Sequence, residues 1–175
     1  MNGFSLAPTA PLGLEMLLGG LMLVVLFMGL FRPTTPTRAT GWVTLIGLLA
    51  LIGVSFAVKP GAGLFNGSYQ LDAVAIFAKR LFLVSAAISV LATLGMPNPR
   101  FASRGAEYHF ALMASLLGML MLASARELIL LFVSFELMSM PLYFLTGFLK
   151  KEDTAGEGAL KFFLLGSVSS AVLLY

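Results

Sequence analysis

The amino-acid sequence predicts an all-α, polytopic membrane protein, and three observations support this fold class. Hydrophobic residues make up 59% of the 175 residues, whereas charged residues make up only 11%. A soluble domain carries about 25% charged residues, so this chain could not cover a water-facing surface. The mean hydropathy is +0.97. The apolar residues also form long runs, separated by short loops that are rich in proline, glycine and charged residues.

Six of the apolar runs are long enough to cross a membrane. A spanning helix needs about 20 consecutive, mostly apolar residues. The predicted spans are about residues 11–31, 42–58, 71–94, 108–123, 128–149 and 158–175. We therefore expect residues 1–175 to form a single membrane domain with no soluble domain.

The charges in the loops predict an orientation. The loops after the first, third and fifth spans hold six Lys or Arg residues, whereas those after the second and fourth hold two. Lys and Arg are enriched in cytoplasmic loops, so the N-terminus is expected on the opposite side of the membrane. The N-terminal stretch lacks the basic region of a cleavable signal peptide, so the first span is expected to be permanent.

Composition also narrows the chemistry. Cysteine is absent, which excludes disulfides, thiolate-held iron–sulfur clusters and Cys-type zinc sites. A single histidine, His109, argues against a His-rich metal site or a bis-His haem. The basic residues occur singly or in pairs, so no nucleic-acid partner is expected. We expect a chain in contact with lipid that holds no cofactor or metal of its own.

Glu136 is the main candidate for chemistry. It lies near the middle of the fifth predicted span, where a carboxylate is costly unless it is paired, protonated or hydrated. Ser139 and Tyr143 follow at i+3 and i+7, so they share its helix face and give a possible polar path. We interpret Glu136 as a proton or ion relay. The alternative is a structural glutamate that bridges two helices.

Pro141 and Lys161 are further candidates. Pro141 removes one backbone hydrogen bond and bends the helix, which fits a packing kink as well as a hinge or a route for water. Lys161 lies just inside the sixth span, where it can pair with Glu157 at i−4, extend to the lipid headgroups or act as a second intramembrane charge. Its depth of about 8 Å, against about 20 Å for Glu136, argues against direct contact.

Lys79 and Arg80 lie about eight residues into the third span. They are either deep interfacial anchors, which we favour, or part of a charged axis in which Lys79 joins a polar path. Asp72, two turns earlier, shares the helix face of Lys79. Glu15 and His109, near the starts of the first and fourth spans, are expected to be interfacial. A stripe of the sixth span is expected to serve helix packing: Ala159, Phe162, Gly166, Ser169 and Ser170.

Two stretches of this sequence resemble a known family. SFELMSMPLYFLTGF and GALKFFLLGSVSSAVLLY are similar to the antiporter-like membrane subunits of respiratory complex I, the proton-pumping NADH:quinone oxidoreductase. The resemblance is strongest to subunit N, the counterpart of mitochondrial NADH dehydrogenase subunit 2. LDAVAIFAKRLFLVSA in the third span and Glu15 in the first also fit this family.

The resemblance implies roles, partners and a location. The family's essential fifth-span glutamate corresponds to Glu136, and its sixth-span lysine corresponds to Lys161, both in proton translocation. The family fold is a longer bundle with two inverted repeats, of which this chain would be the N-terminal portion, since the sixth span reaches Tyr175 without flanking charges. NADH, FMN, iron–sulfur clusters and quinone are expected on partner subunits. A hetero-oligomer with other membrane-arm subunits is expected, in the bacterial inner membrane rather than the mitochondrial one.

Two alternative functions stay open. A related multisubunit cation/proton antiporter or a membrane-bound hydrogenase would share the fifth-span glutamate, and a co-purifying NADH-oxidising arm would distinguish these. A purely structural scaffold is the second alternative. In that case, loss of Glu136 would lower assembly and leave pumping per complex unchanged.

Overall fold

The computed structural model describes residues 11–31, 37–61, 63–95, 104–148 and 153–175. Within these ranges the chain forms long α-helices joined by short connections, with one 3₁₀ turn at Phe65–Gly67 and no named β-strand. The helices are α1 (Gly13–Phe31), α2 (Thr37–Ala57), α3 (Ala73–Leu94), α4 (Gly105–Leu122), α5 (Leu128–Thr146) and α6 (Asp153–Leu174). All six are long and apolar enough to cross a membrane. The all-α, multi-span fold class is confirmed.

Several helix ends differ from the hydropathy pattern. α2 begins at Thr37 rather than near Trp42, and α6 begins at Asp153 rather than near Gly158. Hydropathy detects the apolar part of a helix, whereas polar and small residues such as Arg, Glu and Ala also favour helix and extend it beyond the apolar run. α5 ends at Thr146, before the predicted boundary, with Gly147 as its C-terminal cap.

Helices α1 to α4 form a four-helix group. α1 packs against α2 and α4, and α3 packs against the same two helices. Close packing of side chains holds helices together in lipid, where water supplies little driving force. The core of the group consists of side chains with almost no exposure: Leu18, Val25, Leu48, Leu83, Val90, Met113, Leu116 and Leu120.

Helices α5 and α6 add to this group one after the other. α5 packs against α4, and α6 packs chiefly against α5. The α4–α5 approach depends on Gly118, because a Cβ there would lie 2.3 Å from the backbone nitrogen of Met138. Only 6% of the apolar window of α6 is buried, against 44% for α4. α6 therefore presents most of its surface outside the described bundle.

The loop between α2 and α3 is fastened to the turn between α4 and α5. The backbone N–H of Gln70 donates to the Ser124 carbonyl at 2.8 Å, and the N–H of Arg126 donates to the Ser68 carbonyl at 2.8 Å. The side chains of Arg126 and Asp72 form a salt bridge. We call these five residues the clasp. It fixes the point from which α5 starts.

Candidate functional site

Glu136 lies in the interface between α5 and α6. It is the ninth of 19 residues in α5, and its side chain is half-buried. The hydroxyl of Ser170, a buried residue of α6, donates a hydrogen bond to its carboxylate. Hydrogen bonds to an ionised acceptor are about twice as strong as neutral ones. Ser170, assigned from the sequence to a packing stripe, is thus the partner of the main candidate residue.

Ser139 and Tyr143 share the helix with Glu136 but do not hydrogen-bond to it. The Ser139 hydroxyl donates to the Phe135 carbonyl of its own helix at 2.6 Å. The Tyr143 ring packs edge-on against Phe162, with ring centroids 4.9 Å apart. Its hydroxyl lies over Gly166, where a Cβ would come within 1.8 Å of it. The predicted polar path therefore consists of separate side chains, and the small residue at 166 makes room for Tyr143.

Pro141 lies inside α5, and the helix continues through it. Pro141 lines a cavity of about 610 Å³ that lies between α5 and the four-helix group. Arg104 and Glu107 lie on this cavity, while most of its lining is apolar, including Leu26, Gly29, Ala114 and Phe144. A proline at this position leaves one carbonyl of the preceding turn without its helical donor.

Lys161 faces away from Glu136. Its ammonium group pairs with Glu157 at 2.5 Å, and its side chain is 70% exposed. Lys161 and Ser170 are nine residues apart on α6, which is two and a half turns at about 3.6 residues per turn. They therefore lie on opposite faces of the helix. The structure thus places Lys161 on the surface of the described bundle and Glu136 in the α5–α6 interface.

A second group of polar side chains lies where α1 and α3 begin. The Lys79 ammonium donates to Glu15 Oε1 at 2.6 Å and to the Tyr69 hydroxyl at 2.6 Å. The Tyr69 hydroxyl in turn donates to Glu15 Oε1 at 2.8 Å. Lys79 is 0% exposed and Glu15 is 6% exposed. We call these three residues the buried triad. A charged pair in lipid-spanning helices is a functional candidate by default.

The buried triad changes one expectation. Lys79 is buried in an ion pair with Glu15 rather than extended as an interfacial anchor. Asp72 caps α3 and pairs with Arg126. Glu15 is the third residue of α1, near one end of the bundle, and its side chain is buried. The sequence did contain the signal, since Glu15 is an acid in an apolar run and Lys79 is a cation in another. The pairing of Glu15 with Lys79 could not be predicted from the sequence, because it depends on how both helices are rotated. The role of Tyr69 could not be predicted either, because it depends on how the loop folds.

The surroundings of Tyr69 and Asp72 affect their protonation in opposite directions. Burial, followed by the neighbouring Glu15 carboxylate, raises the pKa of Tyr69 above its ordinary value. Its hydroxyl therefore stays protonated and can both accept and donate a hydrogen bond. The Ala75 backbone N–H, together with Arg126, lowers the pKa of Asp72, so its carboxylate stays charged and holds the clasp.

Two other polar residues have internal partners. Arg80 donates to the Ser55 carbonyl at 3.0 Å and lies over the Phe56 ring, so it joins α3 to α2. His109, the fifth residue of α4, is fully buried, with its Nδ1 2.6 Å from the Gly105 carbonyl. Within the described ranges, no group of three or more His, Asp or Glu side chains is placed to hold a metal ion.

Comparison with known proteins shows which class of protein the chain resembles. Residues 124–175 match the family described as "NADH:quinone oxidoreductase/Mrp antiporter, TM". This segment begins at Ser124 of the clasp and includes α5, Glu136 and α6. In this segment the chain is therefore similar to multi-pass membrane proteins of the antiporter-like class.

Within that class, the chain is similar to subunit N. It is 35% identical over 167 residues to NADH-quinone oxidoreductase subunit N 2 of Chloroherpeton thalassium, covering 92% of this chain and 32% of the relative. It is 39% identical over 160 residues to subunit N of an Anaeromyxobacter species, covering 90% of this chain and 30% of the relative. The predicted resemblance to subunit N is confirmed, and the chain spans about a third of the length of these curated relatives.

A solved structure has the same fold. A chain of respiratory complex I from Thermus thermophilus, solved with bound aureothin, superposes with a TM-score of 0.75 at 29% sequence identity. The match covers 93% of this chain and 35% of the solved chain. This solved chain is thus similar to the present chain in both fold and sequence.

Proposed function

We propose that this chain forms part of a proton-translocating membrane subunit of NADH:quinone oxidoreductase. The observation that carries the proposal is the similarity to subunit N over more than nine-tenths of the chain, at 35% identity. The chain would act in a translocase that couples electron transfer from NADH to quinone with proton pumping. NADH, FMN, iron–sulfur clusters and quinone would bind to other subunits of a hetero-oligomer, and this chain would contribute to its membrane arm.

Glu136 is the proton-carrying group in this proposal. A carboxylate in apolar surroundings is disfavoured in its charged form unless donors or cations stabilise that form. The Ser170 hydroxyl is such a donor, and it belongs to a different helix. A small shift of α6 against α5 would remove this donor and favour the binding of a proton by Glu136. Electron transfer elsewhere would drive the shift by changing the electric field along the membrane arm.

Lys161 is the second translocation residue in the proposal. Because it faces away from Glu136, its charge would act on groups beyond the described bundle rather than on Glu136 directly. The Glu157 carboxylate at 2.5 Å holds it in the resting position. Exchange of Glu157 for another acidic partner would move the ammonium charge along the surface of α6.

The remaining candidates would have supporting roles. Pro141 would leave a free carbonyl beside the cavity and so admit water near the middle of α5. Tyr143 would keep the α5–α6 distance through its contact with Gly166. Ser139 and Lys79 would act without a hydrogen bond to Glu136, since Ser139 donates to the Phe135 carbonyl and Lys79 donates to Glu15 and Tyr69.

The chain is a multi-pass membrane protein by its helices and relatives, and the proposed location is the bacterial inner membrane. The proposed orientation has the N-terminus outside, since the loops after α1, α3 and α5 carry most of the positive charge. Arg38 and Arg104 lie in the described part of that side. The other four basic residues, Arg32, Arg100, Lys150 and Lys151, lie outside the described residues.

Purification of the chain with its natural partners tests the proposal. A tagged chain is extracted from its own membranes in mild detergent, and the purified material is assayed for NADH oxidation with a quinone acceptor. We expect an NADH-oxidising complex to co-purify. An Mrp-type antiporter is the second candidate, because the matching family includes both kinds of protein. Co-purification of membrane subunits alone, without NADH oxidation, would favour the antiporter and contradict the proposal.

A further inference from the structure

One carboxylate oxygen in the buried triad lacks a hydrogen-bond donor among the described residues. Glu15 Oε1 accepts from both Lys79 and Tyr69, whereas Glu15 Oε2 is buried and has no hydrogen-bond partner among the described residues. An ionised carboxylate has about four acceptor positions. A buried oxygen without a donor costs free energy. Glu15 therefore keeps one oxygen that a proton or a protonated water molecule can occupy.

Tyr69 joins the two charged groups of the triad. Its hydroxyl accepts from the Lys79 ammonium and donates to Glu15, so it lies in a continuous line of hydrogen bonds from cation to carboxylate. The Pro11 carbonyl, 3.2 Å away, offers the hydroxyl a second acceptor. Rotation of the hydroxyl from Glu15 to Pro11 would free Glu15 Oε1 of one donor. A group that switches between two acceptors is suited to passing a proton.

The triad lies near one end of the bundle. Glu15 is the third residue of α1, and Lys79, seventh in α3, extends toward it from about 9 Å inside the helix. Tyr69 belongs to the loop between α2 and α3, so its ring covers the ion pair on the side where both helices begin. The Lys79 ammonium lies 4.9 Å from the centre of this ring, and Lys59 and Arg126 lie at the same end of the described bundle.

We propose that Glu15, Tyr69 and Lys79 form a second proton-exchange site, in which Glu15 binds a proton when its ion pair with Lys79 opens. The closed site holds one ammonium and one carboxylate and has no net charge. Opening lets a proton from the water phase bind Glu15 and leaves Lys79 charged, so the site gains one positive charge. Loss of the same proton to water or to the interior restores the closed pair. No other reactant is needed.

The clasp connects this site to α5. Tyr69 lies between Ser68 and Gln70, whose backbone groups bond to Arg126 and Ser124. These two residues directly precede α5, the helix that carries Glu136. Movement of the Tyr69 loop, which opens the triad, therefore pulls on the start of that helix. Among the other charged side chains that the structure describes near this end, Asp72 pairs with Arg126, Arg80 donates to the Ser55 carbonyl and Glu127 accepts from the Ser68 hydroxyl.

This inference rests on the proposed function, so its test uses the whole complex in sealed vesicles. Tyr69→Phe removes the bridging hydroxyl and keeps the ring. Glu15→Gln combined with Lys79→Met removes both charges, so that neither is left unpaired in the bundle. Ser89→Ala, which removes an exposed hydroxyl of α3 that donates only to the Ser85 carbonyl of the same helix, is the matched control. NADH oxidation, lumen acidification and the amount of assembled complex are measured for each at several pH values.

We expect Tyr69→Phe and the double variant to assemble. Lumen acidification per NADH oxidised should be about fivefold lower than in the control, which is the size of effect expected for the loss of one hydrogen bond. The pH dependence of acidification should also change in the double variant. Equal acidification and an unchanged pH dependence in both variants would show that the triad is only a structural ion pair. If the double variant does not assemble, Tyr69→Phe decides alone. Wild-type vesicles that oxidise NADH without acidification would instead contradict the proposed function, and this inference with it.

Discussion

The two intramembrane acids of this chain have different surroundings. Glu15 is buried in an ion pair with Lys79 that is closed between α1, α3 and the Tyr69 loop. Glu136 is half-buried and bonded to a neutral hydroxyl, while the cation of α6, Lys161, points to the opposite side of that helix. In our proposals, Glu15 binds a proton as its ion pair with Lys79 opens, whereas Glu136 binds one as it loses a single hydrogen bond. We therefore expect substitutions at the first site to affect stability most, and substitutions at the second site to affect proton transfer most.

The largest expected difference in stability is between substitutions of Lys79 and of Lys161. Lys79→Met leaves the Glu15 carboxylate buried and unpaired, which costs about 3–5 kcal/mol, so we expect a large loss of assembled complex and a lower thermal midpoint. Lys161→Met removes a cation that is 70% exposed, so stability should stay unchanged. Thermal unfolding of the purified complexes measures both. Equal losses of stability would show that the two charges are held in the same way.

The close contact between α4 and α5 is tested through Gly118, with an exposed glycine as the control. Gly118→Ala places a methyl group 2.3 Å from the backbone of α5, which cannot yield as a side chain would. We expect this overpacking to cost about 1–3 kcal/mol and to move α5 with Glu136. Gly53→Ala, in α2, is the control because nothing lies within 4 Å of its added Cβ. A thermal midpoint for Gly118→Ala equal to that of the control would contradict the close α4–α5 contact.

The partner of Glu136 is tested by two adjacent serines. Ser170→Ala removes the donor to the Glu136 carboxylate and should cost about 1 kcal/mol, with slower acidification per NADH oxidised. The Ser169 hydroxyl bonds only within its own helix, to the Leu165 carbonyl at 2.9 Å. Ser169→Ala should therefore leave acidification unchanged. The same effect in both variants would mean that the hydroxyl of Ser170 has no special relation to Glu136.

The smallest expected effect concerns the clasp. Because the pKa of Asp72 is lowered in the folded chain, its carboxylate contributes stability above its ordinary pKa of about 4, and this contribution is lost as the pH falls through the lowered value. Asp72→Asn should lower the thermal midpoint slightly at pH 7. The difference from wild type should shrink as the pH falls below about 4. A constant difference across this range would contradict the lowered pKa.

The sequence predicts the bundle better than it predicts the contacts within it. Long apolar runs identify each spanning helix because lipid requires them. The polar ends of α2 and α6 escape this signal because they lie outside the apolar runs. Contacts between helices depend on how each helix is rotated and where its neighbours approach, which one sequence does not specify. The sequence places Asp72 on the helix face of Lys79, whereas in the structure Lys79 pairs with Glu15 of another helix and Asp72 pairs with Arg126.

For the candidate site, too, the sequence predicts the main residue but not its contacts. The importance of Glu136 can be inferred from one charge in an apolar helix. Its partner Ser170 cannot, because small residues at helical spacing also serve packing. The direction of Lys161 relative to Glu136 also becomes clear only when Ser170 identifies the face of α6 that contacts α5.

The claim that Glu136 carries protons is tested most directly in the intact complex, reconstituted in sealed vesicles. Glu136→Gln is compared with Ser169→Ala, whose hydroxyl donates only to the Leu165 carbonyl of its own helix. NADH oxidation and lumen acidification are recorded together, and the amount of assembled complex is measured. We predict that Glu136→Gln assembles like the control but acidifies the lumen several-fold less per NADH oxidised. Equal acidification in the two variants would contradict the claim, and so would a loss of assembly with normal pumping per complex.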